Sequence, residues 1–243
     1  MITINRLSHE FHIGKKGSTK VVPVLRDINL TVGKGEIVSV LGRSGSGKST
    51  LLNLVAGYNK PSQGRIVING TDVTGFNETE WAKFRLAHMG FIFQSFQLIP
   101  SMTAFQNIEL PLTLKGLDER VRARMVKETM ELVGMSEHEQ YYPSELSGGQ
   151  QQRIGIARAM ALKPALILAD EPTGSLDSET EKSVLEFIRV LNQQWGTTFL
   201  MITHDAEVAS IAHRSVTIHN GQLAEQAEAE QHEPQKKQEE VNV

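Results

Sequence analysis

A glycine-rich loop followed by lysine and serine constrains this chain more than any other stretch. Residues 41–50 read LGRSGSGKST, with the apolar run 36–41 before the loop and the run 49–57, closed by a glycine, after it. These flanks predict a buried strand and a short helix. Such a loop turns backbone N–H groups and the positive end of the helix dipole toward a polyphosphate. The alternative, a glycine-rich turn with a chance Lys-Ser pair, does not explain both flanks, so we expect a nucleoside triphosphate site.

Two side chains of this loop have the chemistry that such a site needs. Lys48 is long enough to reach the β- and γ-phosphates of the nucleotide, and the Ser49 hydroxyl is placed to ligate Mg²⁺. The sequence therefore predicts a nucleotide bound together with a divalent cation.

The composition excludes several classes of protein. The chain has 243 residues, no cysteine and a net charge of −3. The absence of cysteine excludes disulfides and fits a reducing compartment, and the charge offers no basic field to a nucleic acid. Residues 1–6 lack the design of a signal peptide, and no apolar stretch approaches the roughly 18 residues that span a bilayer. We expect a soluble cytoplasmic protein with no nucleic-acid partner.

Strand-like segments stand on both sides of a helical stretch. Residues 2–12 and 21–32 alternate well enough for two edge strands, joined by a hairpin loop at 14–18. This pattern predicts an α/β core with an antiparallel N-terminal part and a helical subdomain inserted at about 95–163. Further strands are predicted at 63–70, 91–93, 165–169, 198–202 and 215–219.

The helices of the insert are indicated by apolar residues at three- to four-residue spacing. One helix is predicted to begin at about Asn107, and a longer one to be capped by Asp118 and closed by Gly134. Beyond the insert, a helix is predicted to begin near Asp177 and Ser178, with Glu181 completing a capping box.

The last part of the chain has a different composition. From residue 222 onward it consists mostly of Glu, Gln, Lys and Ala, with one proline and almost no large apolar residue. Such a segment cannot bury a core. We therefore predict a folded domain over residues 1–222 and a mobile polar tail over 223–243.

Two carboxylates follow a buried strand at Asp170 and Glu171. In enzymes with a phosphate-binding loop, an aspartate at such a strand end holds Mg²⁺, and a neighbouring carboxylate can orient water and accept its proton. An acidic loop without function is the alternative, and the phosphate-binding loop elsewhere in the chain disfavours it.

A second helix with an anion-binding N-terminus is predicted after the sequence LSGGQ at 146–150. Its Ser-Gly-Gly turn would open a helix, and a helix N-terminus attracts phosphate. The chain thus has one phosphate-binding loop but two helix N-termini that can bind phosphate. This suggests that the second helix N-terminus serves the nucleotide of another copy of the chain.

Together these motifs resemble the nucleotide-binding subunits of ATP-binding-cassette (ABC) transporters, over residues 1 to about 222. The resemblance implies a P-loop NTPase core, ATP and Mg²⁺ as cofactors, and ATP hydrolysis. It also implies that Gln94 senses Mg²⁺ and the γ-phosphate, that Glu171 is the catalytic base and that His204 is a switch residue. Catalytic roles would fall to Lys48, Gln94, Glu171 and His204, metal binding to Ser49, Gln94 and Asp170, and nucleotide binding to Phe11, Gly42, Arg43, Ser44, Gly45, Ser46, Gly47, Lys48, Ser49, Thr50, Ser147, Gly148, Gly149, Gln150 and Asp177.

Phe11 has two interpretations. It is the candidate for the aromatic residue that stacks on adenine in this family, because a phenyl ring can stack on a purine face. A single Phe in an eleven-residue strand is equally compatible with a place in the core.

The stretches FIFQSFQLIP at 91–100 and ELPL at 109–112 are similar to the lipoprotein-releasing and macrolide-export branch of the family (LolD, MacB and FtsE types). The resemblance implies a dimer of cassettes with two sandwiched ATPs, which drives a separate membrane permease and works with a periplasmic or extracellular adaptor. The protein would then lie on the inner face of the cell membrane. A soluble ABC ATPase that acts on a cell-division, ribosome or DNA-repair complex is the alternative.

The loop after Gln94 is unusually apolar, since Phe96, Leu98, Ile99 and Met102 stand close together. A patch of this kind usually marks a binding surface, and the resemblance implies contact with the permease here. The alternative is that these side chains pack beneath the helical subdomain.

Overall fold

The computed structural model describes residues 1–14 and 20–225. In chain order the elements are β1 (Ile2–Ile13), β2 (Lys20–Val32), β3 (Ile37–Leu41), α1 (Lys48–Val55), β4 (Gln63–Ile68), β5 (Thr71–Asp72), α2 (Glu78–His88), β6 (Met89–Phe93), α3 (Ala104–Leu114), α4 (Glu119–Leu132), two 3₁₀ turns (Ser136–His138 and Pro143–Glu145), α5 (Gly148–Met160), β7 (Leu166–Asp170), α6 (Ser178–Trp195), β8 (Thr198–Thr203), α7 (Ala206–Ser210), β9 (Arg214–His219) and β10 (Gln222–Glu225). Within these residues no helix is long and apolar enough to cross a membrane.

The central sheet has six strands in the order β10-β9-β3-β8-β7-β6. Every neighbouring pair is parallel except β10 with β9. Both faces of the sheet are covered, because Leu166 and Leu168 of β7 join one apolar cluster and Ile167 and Ala169 join another. Burial on both sides explains why these strands are continuous apolar runs rather than alternating ones.

The second sheet is antiparallel, with the order β2-β1-β4-β5. The prediction that residues 2–12 form an edge strand is wrong, because β1 pairs with β2 on one side and β4 on the other. The residues of β1 alternate between buried and partly exposed. An edge strand can show the same alternation, so periodicity alone does not distinguish a central strand from an edge strand. Residues 15–18 of the predicted hairpin loop lie outside the described residues.

The helical stretch has its own apolar cluster, formed by α3, α4, α5 and the segment between α4 and α5. Helix α4 has Asp118 as its N-cap, as predicted. Helix α3 begins at Ala104, three residues before the predicted start, because Thr103 and Gln106 form a capping box. The boundaries of the insert as a subdomain stay a prediction.

Helix α6 begins as predicted but without the predicted capping box. Asp177 is its N-cap and accepts a hydrogen bond from the Thr180 N–H at 3.0 Å. Glu181 lies one residue too far along and accepts instead from the Thr173 hydroxyl at 2.6 Å.

The prediction of a mobile polar tail over residues 223–243 is wrong at its start. After a turn at Asn220 and Gly221, residues 222–225 form β10, in antiparallel register with β9. Residues 226–243 of the predicted tail lie outside the described residues.

Candidate active site

Helix α1 presents an uncapped N-terminus. Gly47 stands at its N-cap in a left-handed conformation with φ 107°, no side chain caps the helix, and its first turn has no acidic residue. By contrast, the other α-helices in the described part of the chain each have a side-chain cap. The first N–H groups of α1 are therefore left for a ligand, and the helix dipole makes that ligand an anion.

These N–H groups border a cleft of about 700 Å³. The cleft brings together residues that are far apart in the chain, including Lys48, Gln94 and Glu171. Its lining residues are Val24, Arg43, Ser44, Gly45, Ser46, Gly47, Lys48, Ser49, Thr50, Gln94, Asp170, Glu171 and His204.

Lys48 is folded back onto its own loop. Its side chain is buried, and the ammonium donates to the carbonyl of Gly42 at 2.6 Å and to that of Arg43 at 3.3 Å. Gly42 thus contributes its carbonyl to the loop without lining the cleft. Because these partners are neutral, an incoming phosphate would offer the ammonium a stronger partner.

Asp170 stands at the end of β7 with an unfavourable charge. Burial raises the pKa of its carboxyl, the neighbouring Glu171 raises it further, and the nearby Lys48 lowers it. A carboxylate held in this way would be stabilised by a cation.

Glu171 is held through both its main chain and its side chain. Its backbone is left-handed with φ 45°, and its N–H donates to the carbonyl of Ile202 at 3.0 Å. Its Oε1 lies 2.8 Å from Nδ1 of His204, and its Oε2 accepts from the Thr203 hydroxyl at 2.9 Å. The Glu171 side chain is 13% exposed, whereas that of His204 is 68% exposed.

Gln94 follows β6 and faces the loop after Glu171. Its side-chain amide lies 3.5 Å from the carbonyl of Gly174. A Cβ atom at Gly174 would stand 3.0 Å from this amide, so the glycine permits the approach.

The signature residues have a different surrounding. Ser147 caps α5, its hydroxyl accepts from the Gln150 N–H, and the Gln150 side chain accepts from the Ser147 N–H. Gly149 lets α5 approach α6, since a Cβ there would lie 2.3 Å from Cγ2 of Thr180. In the described part of the chain the cleft is not lined by Ser147, Gly148, Gly149, Gln150 or Asp177.

Phe11 also lies outside the residues that line the cleft. It sits on β1 opposite Val22, is 38% exposed, and contacts His9 edge-on with ring centroids 4.7 Å apart. The structure places Val24 of β2 on the cleft instead. The sequence did not point to Val24, because the alternation of apolar and polar residues along β2 does not show which edge of the antiparallel sheet faces the cleft. Thr203 was missed as well, although it directly precedes His204.

The comparisons with known proteins agree with this geometry. Residues 25–174 match the model of the family described as ABC transporter. The chain belongs to this family. The α/β P-loop NTPase fold expected for it is confirmed, and the chain contains an ABC ATPase domain.

Individual relatives of this ABC protein are close in sequence and in fold. It is 61% identical over 223 residues to the ABC transporter ATP-binding protein YtrE of Bacillus subtilis, covering 92% of this chain and 96% of that protein. It is 44% identical over 200 residues to the lipoprotein-releasing system ATP-binding protein LolD of Colwellia psychrerythraea, covering 82% and 78%. The cassette MJ0796, solved as a dimer bound to ADP and Pi, superposes with a TM-score of 0.83 at 34% identity, covering 93% and 98%.

A Mg²⁺ ion fits the residues of the cleft only together with a nucleotide. Among residues 1–14 and 20–225 no group of three or more His or carboxylate side chains is arranged to hold a metal. Ser49 and Asp170, with its raised pKa, offer oxygen ligands, and phosphate and water would supply the rest. When bound, the ion would neutralise charge on the phosphates.

Two substitutions separate binding from hydrolysis. Lys48→Ala should weaken ATP binding by about 10- to 100-fold, the loss expected for hydrogen bonds to a charged group. Glu171→Gln should leave the affinity close to wild type but lower kcat by about 10²- to 10⁴-fold, because the amide cannot accept a proton from water. Fluorescent-nucleotide titration and phosphate release measure the two effects, and normal hydrolysis by Glu171→Gln would remove this carboxylate from the mechanism.

The raised pKa of Asp170 gives a prediction about stability and pH. The native state disfavours the ionised Asp170 carboxylate, which therefore lowers the free energy of unfolding. This loss of stability is absent below the unfolded-state pKa of 3.8 and grows as the pH rises through the folded-state pKa. Asp170→Asn should therefore raise Tm of the nucleotide-free protein at pH 7, by a margin that shrinks on acidification. Mg-ATP should reverse the order of the two proteins.

Asp72 is the matched control, because its pKa is lowered by hydrogen bonds from Thr74. Asp72→Asn should lower Tm at pH 7, and its effect should fade as the pH falls. Equal Tm changes of the same sign in both variants would contradict the assignment.

Proposed function

We propose that this protein is the ATP-hydrolysing subunit of an ABC transporter and works as a dimer with two ATPs between its subunits. The observation that carries the proposal is the separation of the two anion sites. The cleft contains the phosphate loop, whereas the Ser147 end of α5 lies outside its lining. A second copy would bring its Ser147, Gly148 and Gly149 to the γ-phosphate. The dimeric state of the MJ0796 cassette with ADP and Pi supports this arrangement.

The chemistry of each site follows from the cleft residues. Lys48 and the N–H groups of α1 would hold the phosphates, and Ser49 and Asp170 would hold the cation. Glu171 orients a water and takes its proton while the water oxygen attacks the γ-phosphorus and the bond to ADP breaks. His204 is exposed and hydrogen-bonded to Glu171. It is therefore placed to exchange this hydrogen bond for one to the γ-phosphate. Phe11 remains the candidate for stacking on adenine.

We further propose that the dimer drives a membrane permease in the lipoprotein-releasing and macrolide-export branch, at the inner face of the membrane. The likeness to the lipoprotein-releasing protein LolD supports the branch. We include an adaptor outside the membrane in the same proposal.

The surface proposed for the permease is a cleft of about 440 Å³ between α2, β6, α3 and α5. Its wall is mostly apolar, and two of its side chains are strongly exposed: Leu114 at 66% and Tyr58 at 54%. Ile99 of the apolar loop lines it, whereas Leu98 packs against the helical cluster. Leu98 therefore fits the alternative in which the loop packs beneath the helical subdomain. Ile99 fits the interpretation of the loop as a binding surface.

A mixing experiment tests the dimer. At an ATP concentration that just saturates the wild type, a Lys48→Ala chain alone should be nearly inactive because it binds ATP weakly. A Ser147→Arg chain alone should be inactive because a bulky side chain occupies the place of the partner's phosphate. Their heterodimer has one intact composite site, so the mixture should hydrolyse ATP. No activity at any ratio, together with an ATP-dependent dimer of Ser147→Arg alone in light scattering, would contradict the assignment.

A second experiment tests the permease surface. Leu114→Asp should leave the ATPase rate of the isolated subunit unchanged and lower the permease-stimulated rate on the order of tenfold, the usual effect of removing an interface anchor. Ile13→Asp is the control, because Ile13 is similarly exposed at 59% but lies on β1. Equal stimulation of both variants would show that the permease binds elsewhere.

A further inference from the structure

The hydroxyl of Thr203 has a defined direction. Thr203 is the last residue of β8 and is fully buried. Its Oγ1 accepts from the backbone N–H of Asp205 at 2.9 Å. Because a backbone N–H can only donate, the one hydrogen of the hydroxyl is left for Oε2 of Glu171, which lies 2.9 Å away.

The two side chains that hold the Glu171 carboxylate differ in their freedom to move. His204 contacts Oε1 and is 68% exposed, so its ring can leave this contact without opening the core. Thr203 is buried and β-branched, which restricts it to few rotamers. The Oε2 contact is therefore the permanent one, and the Oε1 contact is the exchangeable one.

The backbone conformation of Glu171 needs contacts that hold it in place. Its left-handed φ of 45° is a sparsely populated conformation for a residue with a side chain. The N–H of Glu171 is bound to Ile202, the residue directly before Thr203. Main chain and side chain of Glu171 are thus both fastened to the end of β8.

We propose that Thr203 is a positioning residue for ATP hydrolysis. Its hydroxyl fixes Oε2 of Glu171, and this turns Oε1 toward the attacking water once His204 has left it. Thr203 itself touches neither nucleotide nor water. The inference rests on the proposed catalytic role of Glu171 and adds the group that aims it.

Three variants of the full chain separate this role from a structural one. Thr203→Val keeps the shape but lacks the hydroxyl, and it should lower kcat by about 10- to 100-fold with KM for ATP within about twofold, as expected for a misplaced catalytic group. Thr203→Ser restores the hydroxyl and should recover most of kcat. Thr198→Val is the matched control. Thr198 is fully buried in the same strand, and its hydroxyl accepts a hydrogen bond from the Gly35 N–H at the opposite end of β8 from Thr203. It should lose stability but keep kcat.

A double-mutant cycle decides whether Thr203 acts through Glu171. In single-turnover hydrolysis, adding Thr203→Val to Glu171→Gln should cause no further loss. Wild-type kcat in Thr203→Val, or the same fold-loss in both backgrounds, would overturn the inference while leaving Glu171 in place. Normal turnover of Glu171→Gln alone would instead remove the proposed function of that residue. If the valine variant does not fold, Thr203→Ala replaces it in the cycle.

Discussion

Four of the five parallel strands of the central sheet, β3, β8, β7 and β6, end beside the candidate site, which depends on the register between them. Leu41 of β3 lies opposite Thr203 of β8, and Asp170 of β7 lies between Ile202 of β8 and Phe93 of β6. The residues that follow these strand ends therefore converge from four regions of the sequence. A shift of one strand by a single residue would turn its side chains to the opposite face and dissolve the site. The apolar clusters on both sides of the sheet prevent such a shift.

Within residues 1–14 and 20–225, the charged groups at this edge are only partly compensated by their neighbours. The first turn of α1 lacks a cap, and Lys48 turns to neutral carbonyls. Burial and Glu171 oppose the ionised form of Asp170. A polyphosphate with a cation supplies what each of these groups lacks, so nucleotide binding should relieve several unfavourable terms together. The site is thus built at some cost to the stability of the free protein, as is usual for functional sites.

The sequence was informative wherever spacing has one physical meaning. The apolar runs of β7 and β8 and the caps of α4 were predicted because burial and capping leave local signs. Helix α2 was missed because it buries only Trp81 and Phe84, although Asn77 and Glu80 form a capping box that could have revealed it. The central place of β1 depends on pairing with the distant β4, which periodicity does not encode. For the same reason Val24 and Thr203 escaped notice, since their roles depend on register and side-chain direction.

The central claim is that a working site needs two copies of the chain and that the nucleotides lie between them. Native mass spectrometry of Glu171→Gln with Mg-ATP counts chains and nucleotides in one measurement. We predict a species of two chains with two ATPs, and single chains when ADP replaces ATP. Single chains that each carry one ATP, at concentrations that saturate binding, would contradict it.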